Sequence, residues 1–547
     1  MSQKSLVGST FTGNDVPKLT RIIYPWSGIF RDACYALIGT FLMQYAIASG
    51  VLSSNPSEFQ AQYGVITVAM MIALLWDGIN DPIMGFILEK CHFKAGKFKP
   101  WIEIGAIGNA VVVVAMFVIP MLVGAGWGWG YVGFMIAMYL LWDLLFTMND
   151  IGYWSMLPAL TSDPAQRAKL TTSTAIAASI GAFLMNIAMF VLPGIGLGST
   201  IQVYAIAGIS IAVLFLISQT LIYFLCKEKA RDEAQEEISE KSSILDLFRV
   251  VAKNKELRYA ALGMFLYYFA SMILTGIGQN YYYIEVGYGG NQGGMVATII
   301  AVFYVIGTVV AQALYPMLSK KLSRKKILTI TTIIIVVAYL GFFFTAFPVF
   351  GARPLADAPV DPNNIFWVFG GTMSILYVLS FVFFGASGIF YLTCLVMFQD
   401  AIDYGEWKNG ERKESICFAW RPLDVKIASG LNRGLQFAVF GITGTVLAIN
   451  AISNWEGISN ALANAASSNA EKTAISAVVS ANIAKVTTSV EPWRLTLFGG
   501  LIIGTILILF ITSYISLRFG YKLDEKQMDV IVRDLSEKKQ VAEGEAK

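Results

Sequence analysis

Charge is scarce in this chain. Asp, Glu, Lys and Arg together make 14% of its 547 residues, against 56% hydrophobic and 13% aromatic. A soluble domain carries about a quarter charged residues, so a fold bathed in water on all sides is excluded and the bilayer becomes the solvent to reason with. Histidine occurs once, His92, at a loop where a solvated role is expected. Cysteine occurs five times (Cys34, Cys91, Cys226, Cys394, Cys417), in or beside apolar runs and without metal-ligand spacing. Neither a zinc centre nor a disulfide framework follows, and the thiols read as small core residues. Gly96-Lys97 lacks the upstream Gly and the following Ser/Thr of a phosphate-binding GxxxxGK[ST] loop, so no ATP site is expected. A GxSxG elbow, a dinucleotide fingerprint and a nucleophile with its base are missing too, which argues against an enzyme. The first twenty residues have no apolar core of a cleavable signal peptide. A balance of 40 basic to 37 acidic residues, net +3, gives no reason to expect a nucleic-acid partner.

Long apolar runs are what the chain does have. Segments of about twenty apolar residues recur twelve times, at 25–52, 62–90, 101–124, 129–158, 171–194 and 201–226, then 257–284, 291–318, 327–350, 364–399, 415–453 and 493–518. Alternate loops are basic, with Lys94, Lys97 and Lys99, Arg167 and Lys169, Lys227, Lys229 and Arg231, Lys320 to Lys326, and Lys408, Arg412 and Lys413. The other loops hold little more than Arg353, Lys472, Lys485 and Arg494. That bias predicts a multi-pass protein of the cell (inner or plasma) membrane with both termini in the cytoplasm.

The spans split six and six. The first half is 1–226, a charged linker covers 227–256, the second half is 257–518, and a tail covers 519–547. The basic loop at 94–101 has its counterpart at 319–326, which suits a parallel repeat and an all-α major-facilitator architecture. The stretch 453–492, rich in Ala, Ser and Asn, is too long for a hairpin loop and is expected to form an extracytoplasmic excursion. The tail is expected to be a solvated, fraying helix.

Within the spans the ionisable residues read as Asp32 in the first, Asp77 and Asp81 in the second, Asp143 and Asp150 in the fourth, and Asp424, Lys426 and Arg433 in the eleventh. Asp77 and Asp81, four apart, share a helix face with Asn80 beside them. Two carboxylates that close in low dielectric call for a cation or proton between them. Most acids fall in the first half and most bases in the second, so ionic contacts are expected to bridge the halves. Asp143 lies seven residues, about 10 Å, outward of Asp150, and Arg433 the same distance outward of Lys426, which suggests a second inter-half ion pair. Trp154, one turn from Asp150, offers an apolar face to a sugar ring.

These motifs resemble those of the glycoside-pentoside-hexuronide:cation symporter family: Asp77-Gly78-Ile79-Asn80-Asp81-Pro82-Ile83-Met84-Gly85, Gly96-Lys97-Phe98-Lys99-Pro100-Trp101, Asn149-Asp150-Ile151-Gly152-Tyr153-Trp154-Ser155-Met156-Leu157-Pro158 and Asp403-Tyr404-Gly405-Glu406-Trp407-Lys408. The resemblance implies a sodium, lithium or proton site at Asp77, Asn80, Asp81 and Thr147. It also implies a sugar site at Asp32, Asp150 and Trp154, and coupling of the halves through Lys426, which follows Glu414-Ser415-Ile416 at the family's distance. No cofactor is implied beyond the coupling cation. Two departures stand out: the sugar-binding arginine of the family's fifth span falls on Ala175, where Arg433 could stand in for it, and Gly152 replaces a proline. The expected activity is gradient-driven sugar symport by alternating access. The same machinery carrying a non-sugar solute, or a membrane sensor that binds sugar without moving it, remains open.

Overall fold

The computed structural model describes residues 16–90, 93, 96–160, 164–192, 198–228, 249, 251–285, 293–350, 369–409, 420–465 and 468–545. His92, Cys91, Cys417, Lys94, Lys229, Arg231, Arg353, Arg412, Lys413, the 414–416 motif and most of the linker lie outside them. Among the described residues every named element is helical, and one isolated bridge joins Phe93 and Gly96. In order these are α1 (Lys18–Ala48), α2 (Pro56–Lys90), α3 (Lys99–Val123), α4 (Trp129–Ala159), α5 (Pro164–Val191), α6 (Thr200–Leu225), α7 (Lys255–Ile273) and α8 (Gln279–Glu285). There follow α9 (Gly293–Lys321), α10 (Arg324–Ala346), α11 (Gly371–Asn409), α12 (Trp420–Thr443), α13 (Thr445–Ala465), α14 (Asn469–Ser489), α15 (Pro492–Ile515) and α16 (Glu525–Glu545).

Nine helices among the described residues are long and apolar enough to cross a bilayer, and two bent pairs bring the number to eleven. The pairs break near residue 312 by 41° and at Gly444 by 88°. At 31 residues α1 has the length to span, and what lowers its apolarity is Arg21, Arg31 and Asp32. Helix starts follow local chemistry: Pro56, Pro164 and Pro492 open their helices, where a missing N–H costs nothing. Ser199 and Gln202 form a capping box on α6, and Asn254 caps α7 by accepting from the Glu256 and Leu257 N–H groups.

By contact the described residues form two compact units, one drawn from Met1–Lys241, Gly287–Thr298 and Gly444–Ser489, the other from Ser242–Val286, Ile299–Thr443 and Val490–Lys547. In the first, α1 packs along α5 and α6, α3 along α4 and α6, and α2 along α4. In the second, α7 packs along α12 and α15, and α10 along α11 and α15. Counted by span, first with fifth and sixth and third with fourth and sixth recur as seventh with eleventh and twelfth and ninth with tenth and twelfth. Ring pairs repeat as well. Tyr24 stacks on Tyr153 between the first and fourth spans (4.6 Å), and Tyr267 on Tyr391 between the seventh and tenth (5.3 Å).

A carboxylate closes the N-terminus of the third span in each unit. Glu228, just past α6, is buried and accepts three consecutive backbone N–H groups, from Lys97 (2.8 Å), Phe98 (3.0 Å) and Lys99 (2.9 Å). Gly96, at φ +125°, makes the approach possible, since a Cβ there would sit 2.7 Å from Glu228 Oε1. Glu525, past α15, accepts the N–H of Arg324, the first residue of α10, at 2.7 Å. Each carboxylate also meets the positive end of a helix dipole.

At Gly444 (φ +68°) α12 gives way to α13, which with α14 forms a helical hairpin grouped with the first unit, where Asn450 Nδ2 donates to the Ile47 carbonyl at 2.7 Å. Two expectations need correction. The tail is not a solvated helix throughout. In α16 the stripe Met528, Ile531 and Leu535 is buried, Asp534 accepts from Trp407 Nε1 at 3.2 Å, and the helix packs on α11. Finally, acids and bases are not segregated by half: Arg31 belongs to the first unit, and Glu285 and Asp400 are buried in segments of the second.

Cys226, at the end of α6, is fully buried. Since only the thiolate attacks, a maleimide should leave Cys226 unlabelled in folded protein at pH 7 to 9; fast stoichiometric labelling there would contradict its burial. Glu228→Ala should lower stability by about 3 kcal/mol, the scale of hydrogen bonds to a buried charge, and Glu228→Gln by less, because the amide oxygen still accepts. Thermal unfolding in detergent reads both.

Candidate functional site

Four side chains of α4 fall at spacings of four, three and four residues, Asp143, Thr147, Asp150 and Trp154. Those intervals place them along one face of the helix, over about 16 Å of rise. Asp143 and Thr147 are buried, whereas Asp150 and Trp154 keep 35% and 37% of their surfaces accessible. The opposite face of α4 is fixed by Asn149, whose amide donates to the Ile102 carbonyl at 2.8 Å, and by the close approach of Gly105, where a Cβ would lie 2.7 Å from Asn149 N.

At one level of this face Thr147 Oγ1 donates to Asp77 Oδ1 at 3.1 Å, joining α4 to α2. Asp77 and Asn80 are buried and Asp81, one turn on, is half-buried. Thr147, Asp77, Asn80 and Asp81 thus supply carboxylate, amide and hydroxyl oxygens. The structure brings Thr147 to Asp77 directly, and α2 carries the other two on the same stretch of helix. No cluster of three or more His, Cys, Asp or Glu suited to a metal occurs among the described residues. A pair of carboxylates with neutral oxygens around it suits a hard monovalent cation better than a transition metal.

One turn further along, the face meets α1. Arg31, 2% exposed, reaches from α1 between two acids. Its Nη2 and Nε hold Asp32 Oδ2 at 2.8 and 3.1 Å, and Nη1 bonds Asp150 Oδ1. Tyr153 and Trp154 flank the guanidinium, their ring centroids 4.4 and 5.1 Å from Cζ, so cation–π attraction adds to the ion pairs. Tyr153 is itself pinned: its hydroxyl donates to the Tyr24 carbonyl at 2.9 Å and the Tyr24 hydroxyl donates back to the Tyr153 carbonyl. Asp32, Asp150 and Trp154 therefore gather at one place in the first unit, but around an arginine the inventory of spans had passed over. The signal was in the sequence: Arg31-Asp32 is a charged pair well inside an apolar run, whereas Ala175, where the resemblance puts a sugar-binding arginine, is exposed on α5.

The remaining predicted residues belong to other surroundings. Asp143 lies two turns from Asp150 in the first unit. Lys426 and Arg433 share a face of α12 in the second unit, and Arg433 Nη1 donates to Gln436 Oε1 at 3.2 Å. On the same helix Asn432 and Ser429 bond to Met272 of α7, just before the wide-turn segment Leu274–Gly278.

Comparison with known proteins gives the family and the likeness of fold. The pattern of the family described as MFS/sugar transport protein matches residues 57–478. A lactose permease of Leuconostoc lactis is 26% identical over 463 residues, covering 81% of this chain and 66% of the relative. A raffinose carrier protein of Pediococcus pentosaceus is 23% identical over 440 residues, covering 79% and 64%. The chain thus spans just under two thirds of the length of these relatives. Among solved structures, a D-xylose-proton symporter superposes with a TM-score of 0.52 at 12% identity, over 81% of this chain and 96% of that one, a likeness of fold.

Removing Arg31 leaves two acids facing each other, whereas removing Asp150 as well leaves one. Arg31→Gln should therefore lower the melting temperature more than Arg31→Gln/Asp150→Asn does. Additive losses in that cycle would show that the ion pair contributes no coupling.

Proposed function

This chain belongs to the MFS/sugar transport protein family, and we propose that it is a secondary symporter that moves a glycoside or related sugar, pentosides and hexuronides included, together with sodium, lithium or a proton. Alternating access of two six-helix halves about a site near the bilayer midplane carries the cycle. The lactose and raffinose in its relatives' names support a sugar as cargo. What carries the reading is the single face of α4, on which Thr147 meets Asp77 and, within one turn, Asp150 meets Arg31 beside Trp154.

In this reading Asp77, Asn80, Asp81 and Thr147 hold the cation through hard oxygen donors. Asp32 and Asp150 accept sugar hydroxyl hydrogens, and Trp154 stacks on the apolar face of the ring. Because the two sites share α4, occupancy of one shifts the rotamers and charge balance met by the other, which is the coupling a symporter needs. Lys426, Asp143 and Arg433 are the residues read as coupling the halves. The protein resides in the cell membrane with both termini in the cytoplasm.

The test is uptake of labelled glycosides into proteoliposomes with and without an inward sodium or proton gradient. Asp77→Asn and Asp81→Asn should abolish gradient-driven accumulation while sugar exchange survives in part. Asp150→Ala should weaken sugar binding by about ten- to a hundredfold, the worth of a hydrogen bond to a charged group. Full cation-driven accumulation by Asp81→Asn, or unchanged affinity in Asp150→Ala, would overturn the assignment of that residue.

A further inference from the structure

The order in which the charges of the Arg31 cluster are stacked selects among the sugars just proposed. The guanidinium lies at the back, 2% exposed, while the carboxylates of Asp32 and Asp150 keep 21% and 35% of their surfaces accessible. Accessible acids inside a membrane span face an aqueous cavity rather than lipid. A ligand arriving there meets carboxylate oxygens and the exposed part of the Trp154 ring, and Arg31 is out of its reach behind them. One guanidinium against two carboxylates leaves the cluster with one negative charge. The two front-row carboxylates are acceptors, and they match the hydroxyl donors of a neutral ring.

We infer that Arg31 is a positioning residue that holds Asp32 and Asp150 as a pair of acceptors with net charge −1, so that the site takes neutral glycosides and rejects hexuronides. The inference rests on the sugar reading above and narrows it. A hexuronate would set its carboxylate against two others, a like-charge contact with no accessible cation beside it in this cluster. Arg31 acts through the acids: its three bonds fix the Asp32 and Asp150 rotamers, and the rings of Tyr153 and Trp154 fix its own.

Matched pairs that differ only at C6 test this in proteoliposomes of the full chain: methyl glucoside against methyl glucuronide, and methyl galactoside against methyl galacturonide, read as exchange and as competition. Wild type should prefer the neutral member of each transported pair by more than about tenfold. Asp150→Asn should narrow that ratio even though it weakens neutral binding. Arg31→Gln should raise the KM for the neutral member more than it lowers the maximal rate, and Arg31→Lys should recover part of the loss. If wild type takes hexuronide as well as glycoside, or if Arg31→Gln impairs hexuronide exchange and spares glycoside, the inference falls while sugar transport stands. If no pair is exchanged and the Asp77 and Asp150 variants behave as wild type, the functional reading falls with it.

Discussion

A charged side chain in a bilayer-spanning segment is tolerated only where another charge, a strong hydrogen bond or water compensates it, and the first unit is arranged around two such compensations. At Asp77 the partner is a hydroxyl from α4, with a carboxylate and an amide following on α2. At Arg31 the partners are two acids and two aromatic faces. Neither cluster could be assembled by one helix. The arginine and one acid come from α1 and the other acid and both rings from α4, so the packing that brings these helices together is also what makes the charges affordable. A small residue seats α1 in the unit: at Gly181 of α5 a Cβ would clash with the Ile29 carbonyl, so α1 settles against α5 only because no side chain stands there.

The two units solve the same packing problem in the same way. The recurrence of helix pairs, of a stacked tyrosine pair between equivalent spans and of a carboxylate at the third N-terminus follows from a parallel repeat. The charges do not repeat. The first unit has its acids around Arg31 and Asp77, while the second has Lys426 and Arg433 on α12 and an Arg324–Asp400 pair at the start of α10. The repeat supplies the scaffold, and the charged residues that differ between the units supply the chemistry.

The expected spans were legible because hydrophobic runs of bilayer length leave little alternative. The α4 face was legible as well, since spacings of four, three and four can only be one side of a helix. Arg31 was not, although it stands next to Asp32: residues one apart on a helix point away from each other, and only the length of the arginine side chain and the arrival of Asp150 from another helix close the ring. The α13–α14 hairpin was read as a polar excursion because its composition gives no apolar stripe to betray where it docks. The tail was misjudged. Met528, Ile531 and Leu535 form a stripe too thin to stand out among so many charges, yet thick enough to lie on α11.

The cradle at Glu228 has a mechanical side. Three N–H groups at the start of α3 converge on one carboxylate, and the Lys227 N–H is held by Thr20 Oγ1 of α1 at 3.1 Å. The end of α6 is thereby riveted to the starts of α1 and α3 before the chain departs into the linker. A pull transmitted along the linker reaches three helices at once and cannot peel α6 away alone.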